Sequence, residues 1–274
     1  VPDCQAIVKK AIVERLRRAY QASGWLNETG AKYPIEVAIL KDNALLTIDT
    51  SGSGLNKRGY RLAQGEAPIK ETLAASLIRL ANWTGDTPLV DPFCGSGTIA
   101  IEACLIAQNI APGFNRDFVS ENWDIMPDRL YDEMRDEADQ QANYDRKLEI
   151  YASDIDPEMI EIARRNAEEV GLADIIQFSV KDVNTLTIDE DKPMALIGNP
   201  PYGERIGDRD KVEEMYRYIG ELMQQHSQLS TYILTSSTEF EFLVNKKATK
   251  RRKLFNGYIE CTYYQYWGDK KPRS

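Results

Sequence analysis

Histidine is nearly missing from this 274-residue chain, with His226 the single example. Cysteine is scarce too, and Cys4, Cys94, Cys104 and Cys261 form no Cys-x-x-Cys pair. These two shortages exclude a zinc site of ordinary ligand spacing, so no metal is expected, and they leave no histidine placed to activate a cysteine. No apolar run reaches the ~20 residues of a membrane span, and no signal-peptide pattern opens the chain, so no membrane partner is expected. Free thiols without a secretion signal set the expectation of a reducing, cytoplasmic setting. Internal repeats and low-complexity tracts are also lacking. Basic residues are outnumbered 34 to 43, for a net charge of −9. That balance argues against a protein that merely coats a polyanion.

What basic character exists is local. Lys9, Lys10, Arg15, Arg17 and Arg18 crowd the first helix pattern, and Lys246, Lys247, Lys250, Arg251, Arg252 and Lys253 run without an acid among them. Much of the acid lies between Asp117 and Asp145.

The chain divides by pattern near residue 64. Residues 4–20 carry a helical apolar stripe, and Ile35–Leu40 and Ala44–Ile48 read as two strands around a Lys41-Asp42-Asn43 turn. Residues 1–64 are therefore expected to form a small α+β piece with a linker. The chain opens at Val1 without a domain-like start, and further sequence is expected before it. From residue 65 to 274, strands alternate with helices. Pro68 opens a helix, Leu89-Val90 is a short strand, and a helix follows from about Thr98. Leu148–Ala152 is the next strand. Asp156 caps a helix that starts at Pro157 and stops at Gly171. Strands follow at Ile175–Val180, Ala195–Ile197 and Tyr232–Leu234, and Asn256-Gly257 signals a type I′ hairpin at the end. Residues 110–147 read as an insertion. The pattern is α/β, a seven-stranded, mostly parallel sheet closed by an antiparallel C-terminal hairpin.

Two stretches carry chemistry. Asp91-Pro92-Phe93-Cys94-Gly95-Ser96-Gly97-Thr98 joins a strand to a helix, and Gly95, Gly97 and Ala100 fit G-x-G-x-x-G/A. Such glycines let a ligand approach the backbone, and the helix start offers unpaired N–H groups. No Lys follows them, so this is no P-loop. S-adenosylmethionine has a carboxylate for those N–H groups and an ammonium for Asp91, which favours it over a dinucleotide. Cys94 reads as a wall residue. Asp154 ends the next strand and can accept from both ribose hydroxyls, with Ile155 against the adenine. Asp182 follows the third strand, and either it accepts from the adenine amino group or it is an ordinary loop acid. Phe93, Thr98 and Val183 are counted with this cofactor site, as is Asn199.

The second stretch is Asn199-Pro200-Pro201-Tyr202, after the apolar run Met194–Ile197. Two prolines cannot continue a central strand, so the chain leaves the sheet there as a stiff turn. Asn199 Oδ1 and the Pro200 carbonyl can each accept one N–H of an aromatic amino group and aim its lone pair, while Tyr202 stacks on the ring. With Asn199, Pro200 and Tyr202 as the catalytic set, no strong general base is needed. The turn reports a planar amino group and not which one. The layout with both stretches is that of a Rossmann-like class I methyltransferase.

Pro68–Ala74, Asp91–Thr98 with Ile101-Glu102-Ala103, Ala111-Pro112-Gly113 and Asn199–Arg205 resemble the THUMP-containing RNA guanine-N2 methyltransferases, above all those that make N2-methylguanosine in bacterial 23S rRNA. Ser51–Arg61, with its Leu-x-x-Arg-Gly-Tyr-Arg, resembles the end of a THUMP domain and its link to the catalytic domain. The resemblance implies S-adenosylmethionine as cofactor, 23S rRNA or its precursor as partner with tRNA as an alternative, and Lys70-Glu71 at the cofactor's mouth. It also suggests Arg58, Arg61, Lys70 and Arg205 as RNA contacts. Rival readings are a tRNA guanine-N2 enzyme, a DNA or RNA adenine-N6 enzyme and a non-enzymatic RNA-binding module. The last has no use for Asp91 or Asp154.

Overall fold

The computed structural model describes residues 2–24, 26, 28–62, 68–188, 192–202 and 209–269. They fall into two compact units. One comprises the residues up to Gly54 together with Asp117–Met134; the other holds Leu55–Arg116 and everything from Arg135 on.

In the first unit, helix α1 (Pro2–Ala19) precedes an antiparallel hairpin of β1 (Ile35–Leu40) and β2 (Asn43–Ile48). Part of the expected insertion returns here. The short 3-10 turn Val119–Asn122 bonds to the end of the hairpin, with Ser120 Oγ donating to the Thr50 carbonyl at 2.9 Å. Trp123 stacks on Tyr33 at 4.7 Å and donates its indole N–H to the Lys32 carbonyl.

The second unit contains a seven-stranded sheet. Its elements are α2 (Glu71–Leu80), β3 (Leu89–Asp91), α3 (Thr98–Ala107), β4 (Ile150–Asp154), α5 (Pro157–Glu168), β5 (Ile176–Val180), β6 (Met194–Gly198), α6 (Arg209–Gln225), β7 (Leu229–Thr235), α7 (Phe240–Leu243), β8 (Lys250–Asn256) and β9 (Ile259–Tyr266). Between α3 and β4 lies α4 (Leu130–Gln140), which spans the boundary between the units. The sheet order is β5-β4-β3-β6-β7-β9-β8. The first five strands are parallel, and β9 and β8 are antiparallel. The expected mostly parallel sheet with a closing hairpin is therefore what forms.

Strand alternation shows how the sequence sorts itself. Leu89, Ala195, Ile197, Tyr232, Leu234 and Tyr263 point to one face, where the apolar sides of α2, α3 and α5 cover them. Val90, Met194, Leu196, Ile233, Tyr264 and Tyr266 point to the other, under α6 and α7. Strands buried on both faces read as continuous apolar runs, which is why β6 and β7 lack alternation in the sequence. Helix α3 is buried nearly all round, as its lack of a polar face requires.

The strand order reverses at β3 and β6. That switch point is where an open α/β sheet leaves a crevice at the carboxyl ends of its strands. Strand β4 ends at Asp154 as expected but begins at Ile150 and not Leu148, and the last turn is Gly257-Tyr258, with Asn256 paired to Ile259. Only Gly257 of these turn residues has a positive φ, +63°, the habit of a II′ turn and not the expected I′ turn.

Gly59 shows how a linker glycine is fixed by packing. Its φ is +97°, and a Cβ there would lie 1.9 Å from the Asn115 carbonyl oxygen. Gly59→Ala should destabilise the second unit by about 3 kcal/mol, lowering Tm by roughly 6–12 °C. An unchanged melting curve by calorimetry would show that the 57–61 turn is not anchored on Asn115.

Candidate active site

The carboxyl ends of β3, β4 and β6 and the loop after β5 open onto one cavity of about 980 Å³. That volume suits a cofactor together with a planar substrate group.

Asp91 ends β3 and is fully buried. Its Oδ1 accepts the Phe93 N–H at 3.2 Å, whereas Oδ2 is buried without a partner. Burial pushes this carboxyl up to about 8; the Phe93 bond pulls it down, and the neighbouring charge of Asp154 raises it further. The loop then turns through Gly95 (φ +50°) and Gly97 (φ +83°), both left-handed. Cys94 fastens this loop to β4, its N–H donating to the Ser153 carbonyl at 2.9 Å. The Cys94 thiol is raised far out of the reactive range, first by burial and then by Asp91 and Asp154, so it forms part of the wall. Thr98 opens α3, and its first-turn N–H groups have no intrahelical partners.

Asp154 faces the glycine loop across the cavity floor. Its Oδ2 accepts the Gly95 N–H at 2.9 Å, and its Oδ1 accepts the Asp156 N–H at 3.0 Å. A carboxylate offers about four acceptor positions, so two remain for a ligand. Asp156 is spent as the cap of α5, accepting the Glu158 N–H at 2.8 Å. Ile155 is exposed beside Asp154, and Val183 lines the same cavity. Asp182 also lines it, while its Oδ1 caps the short turn after β5 through the Asn184 N–H.

The turn after β6 supplies the other half. Gly198 lets Phe93 pass closely, because a Cβ there would stand 3.0 Å from the Phe93 ring. Asn199, Pro200, Pro201 and Tyr202 all line the cavity. The Tyr202 hydroxyl donates to Asn199 Oδ1 at 2.7 Å. It accepts from Asn256 Nδ2 at 3.2 Å and from the Cys261 thiol at 3.5 Å. Its hydrogen-bonding capacity is thus filled, and the Asn199 amide has one orientation. Burial pushes the Tyr202 phenol far up, so it remains a donor and is no base. Pro201 is pinned behind by Tyr216, whose hydroxyl reaches its carbonyl and the Thr235 hydroxyl.

The hairpin residues Asn256 and Ile259, and Lys211, Glu214 and Met215 of α6, also line the cavity, though the sequence reading passed over them. In the sequence, Asn256 signals only a turn. Its 54-residue separation from Tyr202 leaves no local signal.

Arg58 and Arg61, expected as RNA contacts, are both engaged within the protein. Arg58 turns inward, its Nε 3.4 Å from the buried Glu102 and its Nη1 donating to the Leu55 carbonyl. Tyr60 donates to the same carboxylate, which burial raises to about 6 against the opposing pull of Arg58. Arg61 lies 2.8 Å from buried Glu71, without hydrogen-bond alignment, and donates through Nη2 to the Ile69 carbonyl and to Thr98 Oγ1. Glu71 is therefore tied to Arg61 and does not stand free at the cofactor's mouth. Arg61 thus holds the first residue of α3, and Arg58 a carboxylate in its middle. Lys70 is exposed at the start of α2, and Arg205 lies outside the described residues.

A doubly wound sheet whose glycine loop, second strand-end acid and Asn-Pro-Pro-Tyr exit line one crevice, with the buried Asp91 at the head of that loop, defines a class I methyltransferase, whose methyl donor is S-adenosylmethionine. The profile of the RMKL-like methyltransferase domain matches residues 58–265, and a THUMP domain profile matches residues 1–49. The chain belongs to the RMKL-like methyltransferase family. It is 56% identical over its whole length to YpsC of Bacillus subtilis (strain 168), provisionally named as an RNA methyltransferase, and spans 71% of that protein. Over 94% of its length it is 36% identical to the ribosomal RNA large subunit methyltransferase K/L of Shewanella frigidimarina, of which it spans 37%. Among solved structures, a Listeria monocytogenes protein titled as a predicted N6-adenine-specific DNA methylase superposes with a TM-score of 0.92 at 55% identity, covering 98% of this chain and 70% of that one. SMU.472, solved with S-adenosylhomocysteine, superposes with a TM-score of 0.92 at 45% identity over 99% of this chain and 71% of its own.

The orphaned Asp91 Oδ2 fits the cofactor's ammonium. Burial raises the Asp91 carboxyl to about 8, so a cation brought against it is expected to draw off its proton. Cofactor binding at pH 7 should then release close to one proton, since the ligand's own amino group (pKa about 7.7–8.0) is already cationic. Calorimetry in buffers of different ionisation enthalpy reads this directly, and a binding heat independent of buffer would detach Asp91 from the ammonium.

Proposed function

We propose that this chain methylates the exocyclic N2 amino group of a guanine in RNA, with 23S rRNA as the substrate. The observation that carries the reading is the Asn199–Tyr202 turn, with Asn199 Oδ1 held by the Tyr202 hydroxyl, lining the same cavity as the glycine loop and Asp154. The THUMP profile and the RNA-directed names of YpsC and the K/L enzymes support RNA as the substrate. The likeness of Asn199–Arg205 and Pro68–Ala74 to the guanine-N2 enzymes supports guanine N2 as the acceptor.

Bound S-adenosylmethionine supplies an electrophilic methyl on a sulfonium. Asp91 takes its ammonium, the first N–H groups of α3 its carboxylate, Asp154 its ribose hydroxyls, and Asp182 with Ile155 its adenine. The chain's own residues prepare the nucleophile. A guanine amino nitrogen is nearly planar because its lone pair is delocalised into the ring. Accepting its two N–H bonds at Asn199 and Pro200 would draw the nitrogen toward a tetrahedral shape and turn the lone pair to the methyl. As the N–C bond forms, the S–C bond breaks to leave a neutral thioether. The nitrogen, now strongly acidic, gives its extra proton to solvent. Tyr202 packs on the base and, through its hydroxyl, holds the Asn199 amide in the accepting orientation. The rate gain comes from positioning and preorganised dipoles.

Tritiated methyl transfer to unmodified 23S rRNA is the direct test, with duplex DNA as the control. Counts in DNA alone would overturn the reading. Asn199→Ala should lower kcat by about 10²–10³ with cofactor affinity unchanged, the scale of losing one preorganised polar group. Normal turnover in that variant would remove Asn199 from the chemistry. Tyr202→Phe keeps the ring and loses the donor, so kcat should fall roughly 3- to 10-fold, one hydrogen bond's worth. A fall as large as that of Asn199→Ala would mean the hydroxyl does more than orient the amide.

A further inference from the structure

The run Lys246–Lys253 has no part in the site just described, yet it leads into it. Strand β8 is the outer edge of the sheet, and its last residue, Asn256, lines the catalytic cavity and bonds Tyr202. Alternation along β8 puts Lys250, Arg252, Leu254 and Asn256 on one face. Leu254 packs into the core on that face, which places Lys250 and Arg252 along the edge beyond the cavity. Both are exposed, and neither has an ion-pair partner among the described residues. The opposite face is different: Arg251 is paired with Glu241 at 2.7 Å and Lys253 with Glu260 at 2.6 Å. At the hairpin tip Tyr258 is wholly exposed, and Phe255 is 56% exposed beneath the Lys253 ammonium, 5.5 Å from its ring centre. On a chain of net charge −9, two unpaired cations on the strand that leads to the exposed Tyr258 ring form a surface complementary to a polyanion with bases, while Phe255 belongs to the paired face.

We propose that the β8–β9 hairpin is the grip for the RNA strand flanking the target nucleotide. Phosphates on one side of that nucleotide lie along Lys250 and Arg252, and the neighbouring base stacks on Tyr258. The target base then enters past Asn256 and Ile259. The inference rests on the RNA reading above and gives it a strand path. Lysines on an edge strand also block edge-to-edge pairing, but that role alone would leave RNA affinity and its salt dependence untouched.

The test compares the whole chain with K250E/R252E and with Tyr258→Ala, using unmodified 23S rRNA and tritiated cofactor. Lys250, Arg252 and Tyr258 are surface residues, and unchanged melting curves and cofactor affinity would show that the variants fold. KM for RNA should rise about tenfold or more in K250E/R252E with kcat at saturation retained. The slope of log affinity against log salt should flatten by about 1.4, the value for two single-strand phosphates. Tyr258→Ala should raise KM by roughly 5- to 100-fold without changing that slope, as loss of one stacked base does. Wild-type KM and salt slope in the charge-reversed variant would overturn the hairpin grip while leaving the RNA reading intact. A wild-type chain that methylates DNA or protein and not RNA would overturn both.

Discussion

The site depends on the register between β3 and β6. Leu89 pairs with Ala195 and Val90 with Leu196, so the two strands end side by side at the point where strand order reverses. One strand ends in a buried acid and the other in a glycine followed by an amide. A slip of one residue would exchange the faces of every side chain on β6, burying Asn199 or turning it away from the crevice. The two-faced core prevents this. Leu196 and Ile197 fill opposite layers, and both are fully buried. Gly198 matters for the same reason, since any side chain there would meet Phe93 at the turning point of the loop.

Burial then decides what each polar group can do. An isolated buried carboxylate costs several kcal/mol, which is why burial raises the Asp91 carboxyl well above the usual carboxylate range. Asp154, half-buried and holding two N–H groups, keeps acceptor capacity for hydroxyls. Tyr202 is saturated by one acceptor and two donors, which makes it a fixed strut behind Asn199. Beneath the loop, Arg61 joins Glu71, the Ile69 carbonyl and Thr98. Such largely buried pairs set geometry, because removing either partner strands a charge. Exposed pairs such as Arg165–Glu161 contribute a few tenths of a kcal/mol and set nothing.

Much of the fold was legible because its signals are local. Asp156-Pro157-Glu158 announced a helix start, apolar runs announced buried strands, and two prolines forced the chain out of the sheet at Asn199. The glycine loop and the acids after it could be found for the same reason, since each sits at the end of an element. What could not be read depends on distant partners. Nothing near Arg58 or Arg61 in sequence shows that Glu102 and Glu71 turn them inward. The motif Asn256-Gly257 fitted a I′ turn, yet strand pairing moved the turn on by one residue and left Asn256 facing Tyr202. The stretch around Ser120 and Trp123 looked like an insertion in the catalytic part, because its bonds to Thr50 and Lys32 cross about seventy residues or more.

The account stands on which nitrogen receives the methyl group. Unmodified 23S rRNA incubated with the chain and trideuteromethyl S-adenosylmethionine, digested to nucleosides and read by mass spectrometry, answers that directly. The account predicts the label in N2-methylguanosine. Label in N6-methyladenosine would contradict it, leaving the Asn199–Tyr202 geometry in place but serving a different base.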